Sequence, residues 1–451
     1  MIDLFKQKIL PIFTQYRKST LVRDGLGSLI IKVAHNLINF LIGVLLVRLL
    51  GIDGYGTYSF VIAIIVFLYI PAEFGLPNLL IRETAKGLVE DEPDTVRNVW
   101  RWSVKFTGLL TAAVLLIAFG VLYLLFRNQR ISQVVFYTFL VGLALVPFTA
   151  YIHLARGAMQ GMNRIIAGFL PEQVILKLVF LIILGIYFVV PSLNLTPFSA
   201  MVVNLLVTIA TFLLSMVLLF KYLPKREKLA ISESKKWLNS SSKMALSSGM
   251  EIIKARTSTV LLGFLAGAFP VGIYQIALQG SMIASIILQS SNAAMAPRFS
   301  NLYYSKNIKK LQRLVTINSR IVFLINILMT VGFILFGRFF LRVFFGPDSV
   351  AAYLPLLIML VGQMVNSLVG GVAFLLNMTG HEKQTMWSTC ISLIFSLLLN
   401  LILIPSYGIV GSAIATSFSQ VIAQFAMWRF VKKQLGINSL ALYKAPPIVD
   451  G

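Results

Sequence analysis

Apolar runs long enough to cross a bilayer follow one another along this chain almost without pause. That leaves few folds open to it. A helix needs roughly 20 apolar residues to span the hydrocarbon. Backbone groups in lipid must be satisfied within a helix or a closed barrel. Barrel strands alternate apolar and polar residues, whereas these runs are continuous, so the chain reads as an all-α polytopic membrane protein. We place about twelve spans, at 25–50, 56–80, 103–126, 131–155, 166–190, 197–222, 244–267, 271–296, 319–345, 351–377, 384–405 and 408–431. Only 12% of residues are charged, against about 25% in an average soluble domain.

The net charge of +23 comes from 39 Lys and Arg against 16 Asp and Glu. In a soluble protein it would point to nucleic acid. Here placement explains it, and no nucleic-acid partner is expected. Basic residues crowd the N-terminal segment, the C-terminus and alternate connections such as 82–102 and 223–243, whereas the other connections hold only Arg127, Arg130, Arg338 and Arg342. The positive-inside rule then puts both termini in the cytoplasm of a cell inner membrane, with the basic face near anionic lipid. Residues 1–24 lack the apolar core and cleavage site of a signal peptide and read as a cytoplasmic lead-in.

The single cysteine, Cys390, allows no disulfide framework. No metal-ligand cluster and no GxxxxGK[ST] loop is found, so we expect no cofactor and no ATP drive. The external connections at 51–55, 191–197, 266–270 and 404–408 leave little room for a folded catalytic domain. With no convergent catalytic set, the chain is not expected to be an enzyme.

The two halves match at a constant spacing. LLGIDGYGTY (49–58) lies over LAGAFPVGIY (265–274), pairing Gly51 with Gly267, Gly56 with Gly272 and Tyr58 with Tyr274; further on, Arg82 pairs with Arg298 and Arg97 with Arg313. Six spans per half make the repeat parallel, with a pseudo-two-fold axis along the membrane normal. We therefore divide the chain into an N-lobe (1–222), a cytoplasmic linker (223–243) and a C-lobe (244–451). Two such lobes enclosing a central path point to transport.

The segments LLGIDGYGTYSF (49–60), GLPNLLIRE (75–83), APRFS (296–300) and IPSYGIVGSAIATSFSQ (404–420) carry a resemblance. Together they resemble the polysaccharide-transporter branch of the multidrug/oligosaccharidyl-lipid/polysaccharide exporter superfamily, the flippases of O-antigen or capsule repeat units. The resemblance runs nearly the whole length of the chain. It implies two six-helix lobes in a V around a central cavity, working by alternating access. It also implies coupling to an ion gradient or the membrane potential, the ion being unknown. Lipid II flippases of the superfamily carry a proline-asparagine-leucine segment with basic residues after the second span; Arg82 matches the last of those bases, while Ile81 replaces its neighbour.

Polar residues inside the spans are the candidates for function, because ionisable groups in a bilayer normally face a bundle interior or a wet cavity. Ser28, Lys32, His35, Asn36, Asn39 and Gly43 fall on one helical face. Lys32 either joins this stripe or snorkels to the headgroups. In the seventh span, Ser247, Glu251, Lys254 and Ser258 share a face, and Glu251 and Lys254 can pair at i, i+3; Arg256 points elsewhere. Lys32, Lys254 and Arg256 are the candidates for a pyrophosphate, since anions need cations in a low-dielectric cavity. His35, Asn36, Asn39, Gln275, Gln279, Gln289, Gln363 and Asn366 are the candidates for sugar hydroxyls, with interhelical hydrogen bonding as the alternative. In the fifth span Gln173 and Lys177 share a face below Pro171, and Glu172 caps or faces headgroups. Glu73, beside the helix breakers Pro71, Gly75 and Pro77, is either a coupling-ion site or a group at the cytoplasmic rim. Glu251, Lys177 and Arg48 complete the coupling or gating candidates, Arg48 either snorkelling or closing the external gate. His153 reads as interfacial.

The leading expectation is a flippase moving an undecaprenyl-pyrophosphate-linked oligosaccharide from the inner to the outer leaflet. Glycosyltransferases, a polymerase and a chain-length regulator would be its partners, together with membrane lipids. The alternatives are a multidrug antiporter of the same superfamily and a non-transporting scaffold for glycosyltransferases. A drug cation would favour an acidic cavity, and a scaffold has no need of buried polar stripes.

Overall fold

A computed structural model describes residues 20–190, 192–224 and 234–443. The side chains of 20–30, 32, 33, 287, 293, 294, 296 and 297 lie outside the description, as do residues 1–19 and 444–451. Ser28 and Lys32 are among these side chains, so the lower end of the first-span stripe is not placed.

Among the described residues the chain is helical throughout. The helices are α1 (Thr20–Glu73), α2 (Leu76–Val89), α3 (Pro93–Arg127), α4 (Gln133–Leu143), α5 (Leu145–Gly161), α6 (Ile165–Leu170), α7 (Leu176–Val189) and α8 (Pro197–Tyr222), then α9 (Ser234–Ala266), α10 (Ala268–Tyr304), α11 (Ile308–Phe345), α12 (Tyr353–Val369), α13 (Val372–Met378) and α14 (Glu382–Leu435). A wide π-helical turn, Pro171–Ile175, joins α6 to α7. Nine helical stretches among the described residues are long and apolar enough to cross a membrane. Two of them, α1 and α14, run on through non-helical glycines, Gly51 and Gly408. The 33-residue α9 is not among the nine; it carries Lys235, Lys236, Lys243, Glu251, Lys254 and Arg256. Large apolar side chains such as Leu116 and Ile117 on α3 and Leu328 and Leu335 on α11 are exposed. In a multi-pass membrane protein that surface meets lipid, which is as apolar as the side chains themselves.

The repeat is visible in the backbone. Gly51 has φ 68° and ψ 175°, and Gly267 has φ 91° and ψ −173°. This region is essentially closed to residues with a Cβ, so both turns require glycine. Each turn swings the next helix toward the opposite half. A Cβ on Gly56 would strike the Ala268 carbonyl, and one on Gly272 would strike the Ile52 carbonyl. The repeat-related glycines thus let α1 and α10 meet backbone to backbone. The paired tyrosines also have matching roles: Tyr58 takes a hydrogen bond from Asn204 on α8 at 2.8 Å, and Tyr274 bonds Thr416 on α14 at 2.9 Å.

More contacts close this short-turn end. Arg48 donates to the carbonyls of Phe344, at 2.9 Å, and of Val343, at the end of α11. Phe40 packs edge-on against Phe344 and Phe345 and at a tilt against Phe340. At the opposite, long-loop end, Asn78 donates to Ser248 at 2.9 Å. Much of the segment read as a linker, from Ser234 onward, is already part of α9. Its Trp237 is buried in a cluster with Trp100, Leu219 and Leu223 of the first half, because an indole offers a large apolar surface to bury.

We expect Gly56→Val and Gly272→Val each to lower stability by about 1–3 kcal/mol through overpacking. Gly120→Val, at a glycine with open space around it, should be nearly neutral. Thermal unfolding in detergent checks this, and equal losses at all three sites would show that the helix crossing does not depend on the paired glycines.

Candidate functional site

Between the two halves lies a cavity of about 950 Å³. Its walls come from both sides of the kink in α1 and from α2, α5, the Pro171–Ile175 turn, α7, α8, α9, α10 and α11. A crossing helix exposes its backbone to no solvent, so what a cavity can bind depends on the side chains each wall turns inward.

The first half of α1 turns His35, Asn36, Asn39 and Gly43 into the cavity. They hold a defined arrangement. His35 Nδ1 donates to the Gln173 carbonyl at 3.1 Å, and the Asn39 amide donates to His35 Nε2 at 2.7 Å. One ring nitrogen gives and the other receives, so this imidazole is neutral. Gly43 makes room for Gln279 of α10, whose amide donates to Tyr55.

The charged centre lies deeper in the first half. Glu73 Oε1 is 2.6 Å from His153 Nδ1, and His153 Nε2 is 3.1 Å from Glu172 Oε1. Arg156 Nη1 donates to Glu172 Oε2 at 2.5 Å. Four groups from three elements thus form one chain, and the three pairs are 14–23% exposed. His153 and Glu172 are therefore both part of the cavity wall. Both ring nitrogens of His153 face carboxylate oxygens. Each contact needs a proton, so the chain holds one proton more than two carboxylates and a neutral imidazole would supply.

The π-helical turn explains why the sequence pointed elsewhere in the fifth span. At about 100° per residue, Gln173 and Lys177 share a face and Glu172 lies about 140° from Lys177. In the structure the Leu176 N–H bonds the Pro171 carbonyl, five residues back. That wider turn brings Glu172 and Lys177 onto the same wall, while Gln173 contributes its carbonyl to His35. Proline initiates it, since its missing N–H and its ring disturb the regular ladder.

Lys177 of α7 and Arg256 of α9 face the cavity from opposite halves. Each lies in the other's field, and neither makes a hydrogen bond or an ion pair to a described residue. An uncompensated cation away from water is costly, so this pair is where an anion fits. Gln275 also lines the cavity but is held by Thr259 at 2.8 Å.

The remaining candidates lie elsewhere. Lys254 does not line the cavity, and Glu251 is exposed and accepts from Thr389 at 3.1 Å. No ion pair joins the two. Gln289 is exposed. Asn366 donates to Gln363 at 3.3 Å, and Gln420 reaches the same oxygen at 3.4 Å. These amides tie α12 to α14, as polar residues commonly do between membrane helices. Arg48 sits in the short-turn closure, outside the cavity.

The profile of a family described as polysaccharide biosynthesis protein matches residues 21–303. The probable flippase AglR of Haloferax volcanii is 24% identical over 92% of this chain and 83% of its own length. A probable low-salt glycan biosynthesis flippase of the same organism is 24% identical over 82% of this chain and 75% of its own. Among solved structures, an inward-facing multidrug resistance transporter of the MATE family superposes with a TM-score of 0.73, at 15% identity, over 89% of this chain and 94% of that one. The lipid II flippase MurJ in an inward closed conformation gives 0.69, at 14% identity, over 90% and 87%. The chain therefore shares the two-lobed fold of these two transporters.

A double-mutant cycle tests the charged chain. We expect Arg156→Gln and Glu172→Gln each to destabilise, with a coupling energy of about 1–3 kcal/mol by thermal unfolding in detergent, as for hydrogen bonds between charged groups. Additive losses would show that the two side chains act independently.

Proposed function

The chain belongs to the polysaccharide biosynthesis protein family, and from that premise we propose that it flips a polyprenyl-pyrophosphate-linked oligosaccharide across the membrane by alternating access. The observation that carries this reading is the pair Lys177 and Arg256, two cations on facing walls of the cavity that make no hydrogen bond or ion pair to a described residue. A pyrophosphate between them would receive charge-assisted hydrogen bonds, with the guanidinium able to grip two oxygens at once. The neutral His35, Asn36, Asn39 and Gln279 would meet the sugar, and the prenyl tail would stay in lipid.

In this reading each kinked helix counts as two spans and α9 as one more, which accommodates twelve. The long-loop end faces the cytoplasm, where the lipid-linked sugar is assembled, and the short-turn end faces outward. Lys32 and Lys254 would act nearer the entrance as attractors of the anion. An ion gradient would drive the cycle, and membrane glycosyltransferases would supply the substrate.

A cationic drug is the poorer fit. The cavity does hold two carboxylates, but Glu73 and Glu172 are both engaged by His153 and Arg156. Neither is free to receive a cation without disrupting that chain.

Flipping of a fluorescent prenyl-pyrophosphate oligosaccharide in proteoliposomes tests the proposal. Lys177→Ala and Arg256→Ala should each reduce the rate about 10–100-fold, the loss expected for one charged contact. Gln289→Ala, outside the cavity, should leave it unchanged. Flipping at the wild-type rate by both cation variants would refute the anion clamp.

A further inference from the structure

The chain leaving α14 turns back on the protein. Past Gly436, where the helix is capped in the left-handed region, residues 437–443 cross the long-loop end of the second half. Ile437, Ser439 and Ala441 are buried, whereas Asn438 and Leu440 between them are half-buried and Leu442 is exposed. That is the two-residue period of an extended chain. Gln312 of α11 brackets Asn438, accepting from its N–H at 2.8 Å and donating to its carbonyl at 2.7 Å. Further along α11, Arg320 donates to the carbonyls of Ala441 at 3.0 Å and Tyr443 at 2.9 Å. Trp428 of α14 donates to the Asn438 side chain at 3.1 Å.

The same segment meets a broken helix. α12 gives way to α13 at Gly370 and Gly371, and Gly370 has φ 83° and ψ −167°, a region essentially closed to residues with a Cβ. The break deprives the Leu368 carbonyl of its ordinary helical partner, because the Val372 N–H bonds Gly370 instead. The Ala441 N–H takes that place at 2.8 Å. Backbone groups freed inside a membrane bundle need another partner, and here the returning chain supplies it. α13 in turn rests on α10. A Cβ on Gly371 would strike Asn292, which is tied to Asn318 of α11 at 3.2 Å. Phe299 of α10 packs in one cluster with Ile437 and with Val369 and Val372, on the two sides of the break.

We propose that residues 437–443 are a strap that splints this break, and that through α13 the strap holds the long-loop end of α10, the helix that carries Gln275 and Gln279 of the cavity wall. With the strap seated, α11, α12 and α14 are all hydrogen-bonded to one segment. α13 then turns about Gly370 only by breaking those bonds or by carrying the neighbouring helix ends with it. With the strap away, the Leu368 carbonyl loses its partner, α13 is free to change its angle, and Asn292 loses the surface on which it packs. The first half has a counterpart. Just past α8, the Pro224 carbonyl accepts from Arg97 of α3 at 2.9 Å. Arg97 is the repeat partner of Arg313, the neighbour of Gln312 on α11. Corresponding helices thus tie down the chain beyond α8 and the chain beyond α14, and in the second half the tied chain also fills a broken helix.

Hydrogen exchange read by mass spectrometry on the full chain in detergent tests this, since local opening sets the exchange rate of protected amides. Arg320→Ala removes the bonds to Ala441 and Tyr443 and should speed exchange in 366–376 about tenfold, with a smaller rise in 292–304. A chain shortened to end at Leu435 should show both effects more strongly. Exchange in 51–58 and 268–274, at the other end of the protein, should keep the wild-type rate in both. Gln312→Ala takes the place of the shortened chain should that fail to fold. Unchanged exchange in 366–376 would overturn the strap. An equal rise in every segment would overturn it too, since that marks a general loss of stability. A rise in 366–376 with 292–304 unchanged would overturn its hold on α10.

Discussion

The fold depends on two helices being able to touch along their backbones. At Gly56 and Gly272 there is no side chain between α1 and α10, and the carbonyls of Ala268 and Ile52 occupy the space a Cβ would need. Membrane helices gain little from hiding apolar surface, since lipid is equally apolar, so close backbone approach is what favours their association. This crossing closes one end of the cavity. Arg48 and the aromatic cluster around Phe40 add to it from the neighbouring helices. At the other end Gly75 meets the backbone of Ser241 and Ala245, and Asn78 bonds Ser248, so the polar residues line a space between two contacts of the halves.

Much of this was legible in the sequence. The glycine pairs stood out because the repeat aligned them, and their shared backbone conformation follows from a requirement only glycine meets. The stripe His35, Asn36, Asn39 and Gly43 was found by helical periodicity, which holds for the regular first half of α1. The same rule failed in the fifth span, where a π-helical turn adds a residue and rotates everything after it. Glu172 moved onto the cavity wall and Gln173 off it. A proline inside an apolar run was the available signal, but a proline indicates a disturbance and not its direction.

The charged chain was missed for a different reason. Glu73, His153, Arg156 and Glu172 come from three separate elements, and no spacing along the sequence relates the first to the last. Each taken alone sits near the end of a span, where an interfacial position is the usual outcome. Only the packing of the second, fourth and fifth spans shows that these ends converge. For the amides Gln363 and Asn366 a sugar contact and an interhelical hydrogen bond were both open, and the structure shows the hydrogen bonds. Their periodicity was real, but it served a contact between α12 and α14, which a helical stripe cannot distinguish from a cavity wall.

Duplication supplied two similar scaffolds, yet the chemistry is divided unequally between them. The second half holds a dense set of uncharged hydrogen bonds, in which Asn400, Ser258, Ser412, Thr416 and Tyr274 satisfy one another. Such a network stiffens a lobe without adding charge to it. The first half holds the carboxylates, His153, Arg156 and Lys177. Arg256 is the exception, a cation that the second half presents to the first. Its position has a consequence for motion. A ligand shifts a conformational equilibrium only as far as its affinities for the two states differ. Lys177 and Arg256 are carried by different lobes, so any rocking of one lobe against the other changes their separation. An anion held by both therefore favours the state in which they are close, and binding alone biases the lobes toward closing around it.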